Sequence, residues 1–179
     1  MELYLVNYRH KNSTPCKSIT ELPLEAAKEL AEKLHAGSEC RAHRRFGADF
    51  ERYYHDRCKA EEWMQDAFRK LGGTPKREHP LYFTVQPSAM LAENYGEHCV
   101  IKIDLDEVAD GDISFTFGDS MALYYTEKLH QMYTKNELLE QLELYDNDVN
   151  KILEHEDEQA VFIEAQLWND RYLKEYLKE

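Results

Sequence analysis

The sequence predicts an α+β fold: a mixed, mostly antiparallel sheet of about five strands with helices packed on it. The first observation is a set of short segments rich in β-branched and aromatic residues, at residues 3–8, 81–86, 99–105, 113–117 and 160–168. The second is that helical patterns lie irregularly between these segments, which disfavours a regular series of βαβ units. We expect one domain over residues 1–179, with a helical insert at about 20–75, a main strand region at 79–168 and a short C-terminal helix.

The N-terminal part of the chain is predicted to consist of one strand and two helices. In residues 3–8 both alternating sets of side chains are partly apolar, so we expect both faces of this strand to be covered. Pro23 opens the first helix, whose apolar residues recur at helical spacing as far as Leu34, with Gly37 as its stop. A similar apolar stripe predicts a longer helix over about 48–71.

A basic cluster lies before and within this second helix, and its residues 41–45 stand just before the helix start. It comprises Arg41, His43, Arg44, Arg45, Arg52, Arg57 and Lys59. Guanidinium groups near a helix start can combine with free backbone N–H groups to hold an anion. The alternative is that these arginines pair with Asp49, Glu51 and Asp56 or point to solvent.

Two central strands alternate apolar with polar side chains. In residues 81–86 the polar set includes Tyr82, and in residues 113–117 it consists of Ser114 and Thr116. Such alternation indicates one buried face and one polar face.

Thr134 and Glu137 form a capping box, which predicts the start of a helix.

The last predicted strand carries the most unusual residue of the sequence. Residues 160–168 then place Glu164 in the middle of a strand, where glutamate is disfavoured. It either lies at a solvent edge or has a function. A carboxylate beside aromatics such as Tyr82 is suited to hold a sugar hydroxyl and to stabilise a developing positive charge.

Composition and charge restrict the classes of function. The hydrophobic fraction of 42% and the aromatic fraction of 12% are typical of a globular protein. The formal net charge is −13, and the acidic excess lies in residues 81–179. Direct DNA binding by the whole chain is therefore disfavoured, whereas the acidic half is suited to a basic protein partner. Without a secretory signal, a long apolar segment or a Cys-x-x-Cys pair, we expect a cytoplasmic protein with no membrane span and with reduced thiols.

No motif in the sequence specifies a reaction by itself. The histidines do not pair at the i, i+4 spacing of a helical zinc site, so we expect no metal. A Gly-x-Ser-x-Gly elbow and a glycine-rich phosphate loop are also missing from the sequence, which has only seven glycines.

From Pro80 onward the order of short motifs resembles the C-terminal half of the ADP-ribosyltransferase-like toxins that modify DNA, the DarT group. Tyr82-Phe83 is followed by Ser88-Ala89-Met90-Leu91, an apolar strand at residues 100–105 and then Phe115-Thr116-Phe117-Gly118. Glu164 stands where the family has its catalytic glutamate. The likeness covers about residues 80–168, and the His-x-Thr pair of the family's first strand is missing from residues 3–8.

The resemblance implies that NAD binds in a cleft between two halves of the sheet. Glu164 would orient a ribose hydroxyl and favour the oxocarbenium-like state as nicotinamide leaves. Tyr82, the second expected catalytic residue, would stack near the base or the nicotinamide, and an arginine would hold the pyrophosphate. The expected contacts to NAD come from polar residues of the strands and of the basic cluster: Asn7, Arg9, Arg45, Ser114 and Thr116.

Two other interpretations remain open. The chain is compatible with a non-catalytic interaction protein or inhibitor that binds a basic partner through its acidic C-terminal half. It is also compatible with an accessory protein of a mobile element or operon, and the sequence does not separate these two.

Overall fold

Five strands form one sheet in the computed structural model, which describes residues 2–11, 13–36, 40–96, 98–156 and 160–178. The strands are Tyr4–His10 (β1), Leu81–Val85 (β2), His98–Asp104 (β3), Ile113–Phe117 (β4) and Ile163–Leu167 (β5). They lie in the order β3-β1-β2-β5-β4, and every neighbouring pair is antiparallel. The predicted α+β class is confirmed, and the sheet is antiparallel throughout rather than mixed.

Helices occupy the connections between these strands. The α-helices are Leu24–Ala36 (α1), Phe50–Lys70 (α2), Ala89–Tyr95 (α3), Ser120–Tyr125 (α4), Lys135–Leu144 (α5) and Val149–Glu156 (α6). The predicted capping box is confirmed at the start of α5, where the main-chain N–H of Thr134 donates to Glu137 Oε2 at 2.7 Å. Gly37, the predicted stop of α1, lies outside the described residues.

One face of the sheet packs against α5 and α6. The register aligns Phe83, Ala165 and Phe115 across β2, β5 and β4. These side chains belong to the same buried cluster as Leu138 and Leu142 of α5. Removal of this apolar surface from water stabilises the sheet and fixes the positions of its strands.

The opposite face carries polar side chains, yet it is buried as well. The register places these residues in two rows across β2, β5 and β4: Thr84, Glu164 and Thr116 in one, and Tyr82, Gln166 and Ser114 in the next. Helix α2 covers part of this face, with Met64 and Phe68 in one buried cluster with Trp168. The polar face predicted for β4 is therefore internal, since both Ser114 and Thr116 are fully buried.

Strands β1 and β2 separate soon after they meet. Strand β1 pairs with β3 along its whole length but with β2 only at Leu5 and Val6. Beyond this point the side chain of Asn7 bridges the gap, since its Nδ2 donates to the main-chain oxygen of Tyr82 at 2.7 Å. The sheet is thus split into a β3–β1 half and a β2–β5–β4 half.

The C-terminal segment does not form the predicted short α-helix. It consists of two 3₁₀ turns, Asp170–Tyr172 and Tyr176–Lys178. The buried Asp112 accepts hydrogen bonds from the Tyr172 hydroxyl at 2.7 Å and from Asn169 Nδ2 at 3.0 Å. These side-chain bonds hold the segment in turns, and a segment this short gains little from helix formation.

Candidate functional site

A cleft of about 750 Å³ opens where β1 and β2 separate. Its walls come from β1, β2 and β5, from the helical insert and from the start of α4. Of the residues expected from the sequence to form a site, those that line it are Asn7, Arg9, Arg45, Tyr82 and Glu164. The fold thus brings together side chains that are far apart in the sequence, and this cleft is the candidate site.

Glu164 reaches the cleft from the middle of a central strand. Strand β5 lies between β2 and β4, and the residue is only 5% exposed. Its Oε1 accepts a hydrogen bond from Gln166 Nε2 at 3.0 Å and a longer one from the main-chain N–H of Ser120 at 3.4 Å. Among the described residues, no hydrogen bond reaches Oε2. The interpretation of Glu164 as an edge or surface residue is therefore excluded.

The surroundings of Glu164 oppose its ionisation. Burial raises the pKa of Glu164 to about 7, and the negative charge of Asp119 acts in the same direction. The positive charge of Arg57 and the hydrogen bonds from Ser120 and Gln166 act in the opposite direction. At neutral pH the ionised and protonated forms coexist, which is common for a carboxyl group with a functional role.

Ser114 and Thr116 lie beneath the cleft and not in its lining. Both are fully buried, and Ser114 Oγ donates to Gln166 Oε1 at 3.0 Å. Gln166 Nε2 in turn donates to Thr116 Oγ1 at 3.1 Å. The two hydroxyls therefore contact the side chain that holds Glu164. The alternation in β4 identified their face of the strand but could not show what covers that face.

Tyr82 lines the cleft, but its hydroxyl already has a partner. The hydroxyl donates to Glu61 Oε1 at 2.8 Å, and the guanidinium carbon of Arg57 lies 3.8 Å from the ring centroid. Burial raises the pKa of Tyr82 well above its ordinary value, so the hydroxyl stays protonated near neutral pH. Arg57 lies over the ring, and Tyr82 also packs against the buried cluster that contains Met64, Phe68 and Trp168.

Glu61, an acid behind Tyr82, was not predicted from the sequence. Glu61 is 1% exposed and accepts hydrogen bonds from Arg57 Nε at 3.1 Å and from His79 Nδ1 at 2.7 Å. Although burial opposes it, the hydrogen bond from His79 and the charge of Arg57 hold the pKa of Glu61 below its ordinary value. The hydrogen bond to Glu61 raises the pKa of His79. The available signal was the four-residue spacing of Arg57 and Glu61 on one helix, which is also the spacing of ordinary surface pairs.

Arg9 presents a cation to the cleft from the end of β1. One terminal nitrogen donates to the main-chain oxygen of Ser13 at 3.3 Å. Its Nε is buried and has no hydrogen-bond partner among the described residues. A buried donor without an acceptor costs free energy. An anionic ligand in the cleft would satisfy this donor.

The basic cluster, which lies before and within α2, divides between two clefts and the surface. Arg45 donates to the Tyr95 hydroxyl at 3.0 Å and lines both the main cleft and a smaller one of about 370 Å³ beside Arg44. Arg52 pairs with Asp56 at 3.6 Å. Arg52 therefore pairs with an acid of its own segment, as the alternative interpretation expects. The described partner of Arg45 is instead a hydroxyl group.

The described part of the chain offers neither a metal-binding cluster nor a membrane-spanning helix. In these residues, no three His, Cys, Asp or Glu side chains come together as a possible metal site. Within the same ranges, no helix combines the length and the apolar character needed to cross a membrane.

Comparisons with known proteins found no relative. No protein-family model matches the chain, and searches of curated proteins and of solved structures found no match either. The resemblance of residues 80–168 to ADP-ribosyltransferase-like proteins therefore stays a prediction.

Proposed function

We propose that this protein is an ADP-ribosyltransferase-like enzyme that binds NAD in the cleft and breaks the bond between its nicotinamide and ribose. The electron pair of that bond leaves with nicotinamide, and the ribose carbon becomes an oxocarbenium-like centre. Water or an acceptor nucleophile then bonds to this carbon and releases a proton. The observation that carries the proposal is that the buried Glu164 faces the same cleft as Arg9, Arg45 and Tyr82.

Glu164 supplies the negative charge that this reaction requires. A carboxylate stabilises developing positive charge most strongly in a site from which water is largely excluded, because the effective dielectric constant there is low. With a pKa of about 7, a substantial fraction of Glu164 is ionised at neutral pH. Its Oε2, which has no hydrogen-bond partner among the described residues, is able to accept a ribose hydroxyl.

The cleft also fits the charge and size of NAD. The pyrophosphate of NAD is anionic, and guanidinium groups bind phosphate oxygens through paired donors. Arg9 and Arg45 line the cleft, and Arg9 Nε is a buried donor without a described acceptor. The volume of about 750 Å³ lies within the range of ligand sites, roughly 300–1,000 Å³.

The position of the cleft in the sheet gives further support. The resemblance implies NAD between two sheet halves, and the separation of β1 from β2 provides a cleft at such a split. In place of the family's His-x-Thr pair, β1 carries Asn7 and Arg9 at the cleft. The contacts to the nicotinamide riboside must therefore differ from those of the family.

Thermal unfolding with NAD, ADP-ribose and nicotinamide tests this proposal. A ligand at 100 times its dissociation constant stabilises the folded state by about 2.7 kcal/mol. We expect NAD and ADP-ribose to raise the melting temperature of the wild type and of Glu164→Gln, because the arginines remain in both. Absence of a shift with every one of these ligands, in a folded sample, would contradict NAD binding.

The acidic half of the chain supports a second candidate function, the binding of a basic protein. Asp106, Glu107 and Asp110 are exposed on the connection between β3 and β4. A partner held by such charges should be released as salt is raised, since screening weakens the attraction between exposed charges. Capture of a basic protein that does not weaken with salt would argue against this candidate.

A further inference from the structure

The side chains beneath Glu164 form a chain of hydrogen bonds whose direction is fixed. The indole N–H of Trp168 can only donate, and it donates to Ser114 Oγ at 2.8 Å. The hydroxyl proton of Ser114 is directed to Gln166 Oε1 at 3.0 Å. The amide of Gln166 is thereby oriented with its NH₂ group toward Glu164 Oε1, at 3.0 Å.

Thr116 reinforces this orientation of the amide. Gln166 Nε2 also donates to Thr116 Oγ1 at 3.1 Å, while the Thr116 hydroxyl donates to the main-chain oxygen of Gly118 at 3.0 Å. A reversed amide would place Gln166 Oε1 against Thr116 Oγ1, whose proton is directed to Gly118, and against the ionised carboxylate of Glu164. Because all of these side chains are buried, water does not readily replace a lost bond.

We propose that Trp168, Ser114 and Gln166 are positioning residues that hold Oε1 of Glu164 inside the sheet and present Oε2 to the cleft. What Oε2 does there rests on the proposed function. The hold on Oε1 does not, and it can be measured in the protein without any ligand.

The chain of hydrogen bonds from Trp168 through Ser114 to Gln166 is called the relay below. Because it ends in an N–H donor, it favours the ionised form of Glu164. It therefore acts against burial and against the charge of Asp119 at the start of α4. Other ionisable groups that interact with Glu164 include Arg57 on α2 and Tyr82 on β2. None of these groups is removed when the relay is broken at Trp168, so a change in the titration of Glu164 reports on the relay.

The test is a carboxyl ¹³C NMR titration of Glu164, whose signal is assigned by its loss in Glu164→Gln. Trp168→Phe removes the indole N–H but keeps an aromatic ring, and Ser114→Ala breaks the next bond. Neither change removes the Gln166 donor itself, and Thr116 still helps to orient it. In each variant we therefore expect the titration midpoint to rise by up to about one pH unit, the order for complete loss of a hydrogen bond to a charged group. Either variant carries the test alone if the other does not fold.

Phe68→Leu is the matched control. Phe68 stacks on Trp168 with ring centroids 6.1 Å apart, so this change disturbs the packing of the indole but leaves its N–H in place. We expect the midpoint in Phe68→Leu to equal that of the wild type. Unchanged midpoints in the relay variants, or an equal rise in Phe68→Leu, would overturn the proposal.

The two proposals fail in different ways. If no NAD binds but the relay variants shift the titration, the proposed function fails and the positioning role stands. If NAD is cleaved but the midpoints of the relay variants match the wild type, the positioning role fails and the proposed function stands.

Discussion

The guanidinium group of Arg57 stacks on the ring of Tyr82, with its carbon 3.8 Å from the ring centroid. Both residues donate to Oε1 of the same buried acid, Glu61, and His79 donates to its Oε2. A cation, a phenol, an acid and an imidazole thus form one unit in and behind the wall of the cleft. The positive charge of Arg57 also lowers the pKa of Glu164 from the higher value that burial alone would give. Arg57 therefore contributes both to the buried unit around Glu61 and to the charge state of Glu164.

Glu61→Gln should destabilise the protein strongly. It leaves the buried guanidinium of Arg57 without its counter-charge, and breaking such a pair costs about 3 kcal/mol or more of unfolding free energy. Urea denaturation measures this loss. Glu62→Gln changes an exposed residue of the same helix and should shift the free energy by less than about 0.5 kcal/mol. Equal stability of the two variants would refute the assignment of Glu61 as a structural acid.

Glu164→Gln should stabilise the protein at alkaline pH. The pKa of Glu164 is about 7 in the folded protein, against an ordinary value of 4.5, so the folded state binds a proton that the unfolded chain releases between these values. The stability from this proton is fully present below pH 4.5 and is lost as the pH rises through 7. We therefore expect the variant to exceed the wild type at pH 8 by about 3 kcal/mol.

Chemical denaturation at pH 5 and pH 8 measures this difference. The advantage of Glu164→Gln should be small at pH 5 and large at pH 8. The same difference at both pH values would mean that Glu164 titrates alike in the folded and unfolded chain.

Asp119→Asn should move the pH dependence of the reaction to lower pH. The negative charge of Asp119 raises the pKa of Glu164. Asparagine removes this charge but can still accept the capping hydrogen bond, which in the wild type runs from the main-chain N–H of Ala122 to Asp119 Oδ1 at 2.9 Å. Because the reaction needs the carboxylate, nicotinamide release should rise with pH through the pKa of Glu164, and this midpoint is the quantity to compare.

Asp148→Asn is the control for that measurement. Asp148 accepts a hydrogen bond from Asn150 N at 2.9 Å at the start of α6 and does not line the cleft. Its substitution should leave the midpoint unchanged. An unmoved midpoint in Asp119→Asn would show that Asp119 does not set the charge state of Glu164.

Arg9→Gln should weaken the binding of ADP-ribose. Loss of a charge-assisted contact to the pyrophosphate should reduce affinity by about tenfold or more. Nicotinamide has no phosphate, so its affinity should not change. Isothermal titration gives both values, and Arg69→Gln at the exposed end of α2 serves as the control. Wild-type affinity of Arg9→Gln for ADP-ribose would remove Arg9 from the site.

Much of the fold follows from local sequence patterns. Residues 113–117 were predicted as a strand with the bounds that β4 has, because its alternation is strict. The capping box of Thr134 and Glu137 marked the start of α5, because capping depends on adjacent residues alone. Strand order, the split between β1 and β2, and the 3₁₀ turns near the C-terminus depend on contacts between distant residues, which no local pattern contains.

The candidate site was predictable only in part. Glu164 was identifiable because glutamate is unusual in the middle of a strand. The buried pair of Arg57 and Glu61 was not, since its spacing is the same on a solvent-exposed helix. Ser114 and Thr116 were expected to contact a ligand, but both are fully buried, and the pairing of β4 with β5 places them beside Gln166.

Release of nicotinamide from NAD at pH 8 is the measurement that tests the central claim most directly. The wild type should release nicotinamide, and Glu164→Gln should do so at least about 100-fold more slowly, which is the order of effect for the loss of a group that stabilises transition-state charge. The variant should still bind ADP-ribose as the wild type does. Equal rates in the two proteins, or no release by a wild-type protein that binds NAD, would contradict the assignment of Glu164 as the catalytic carboxylate.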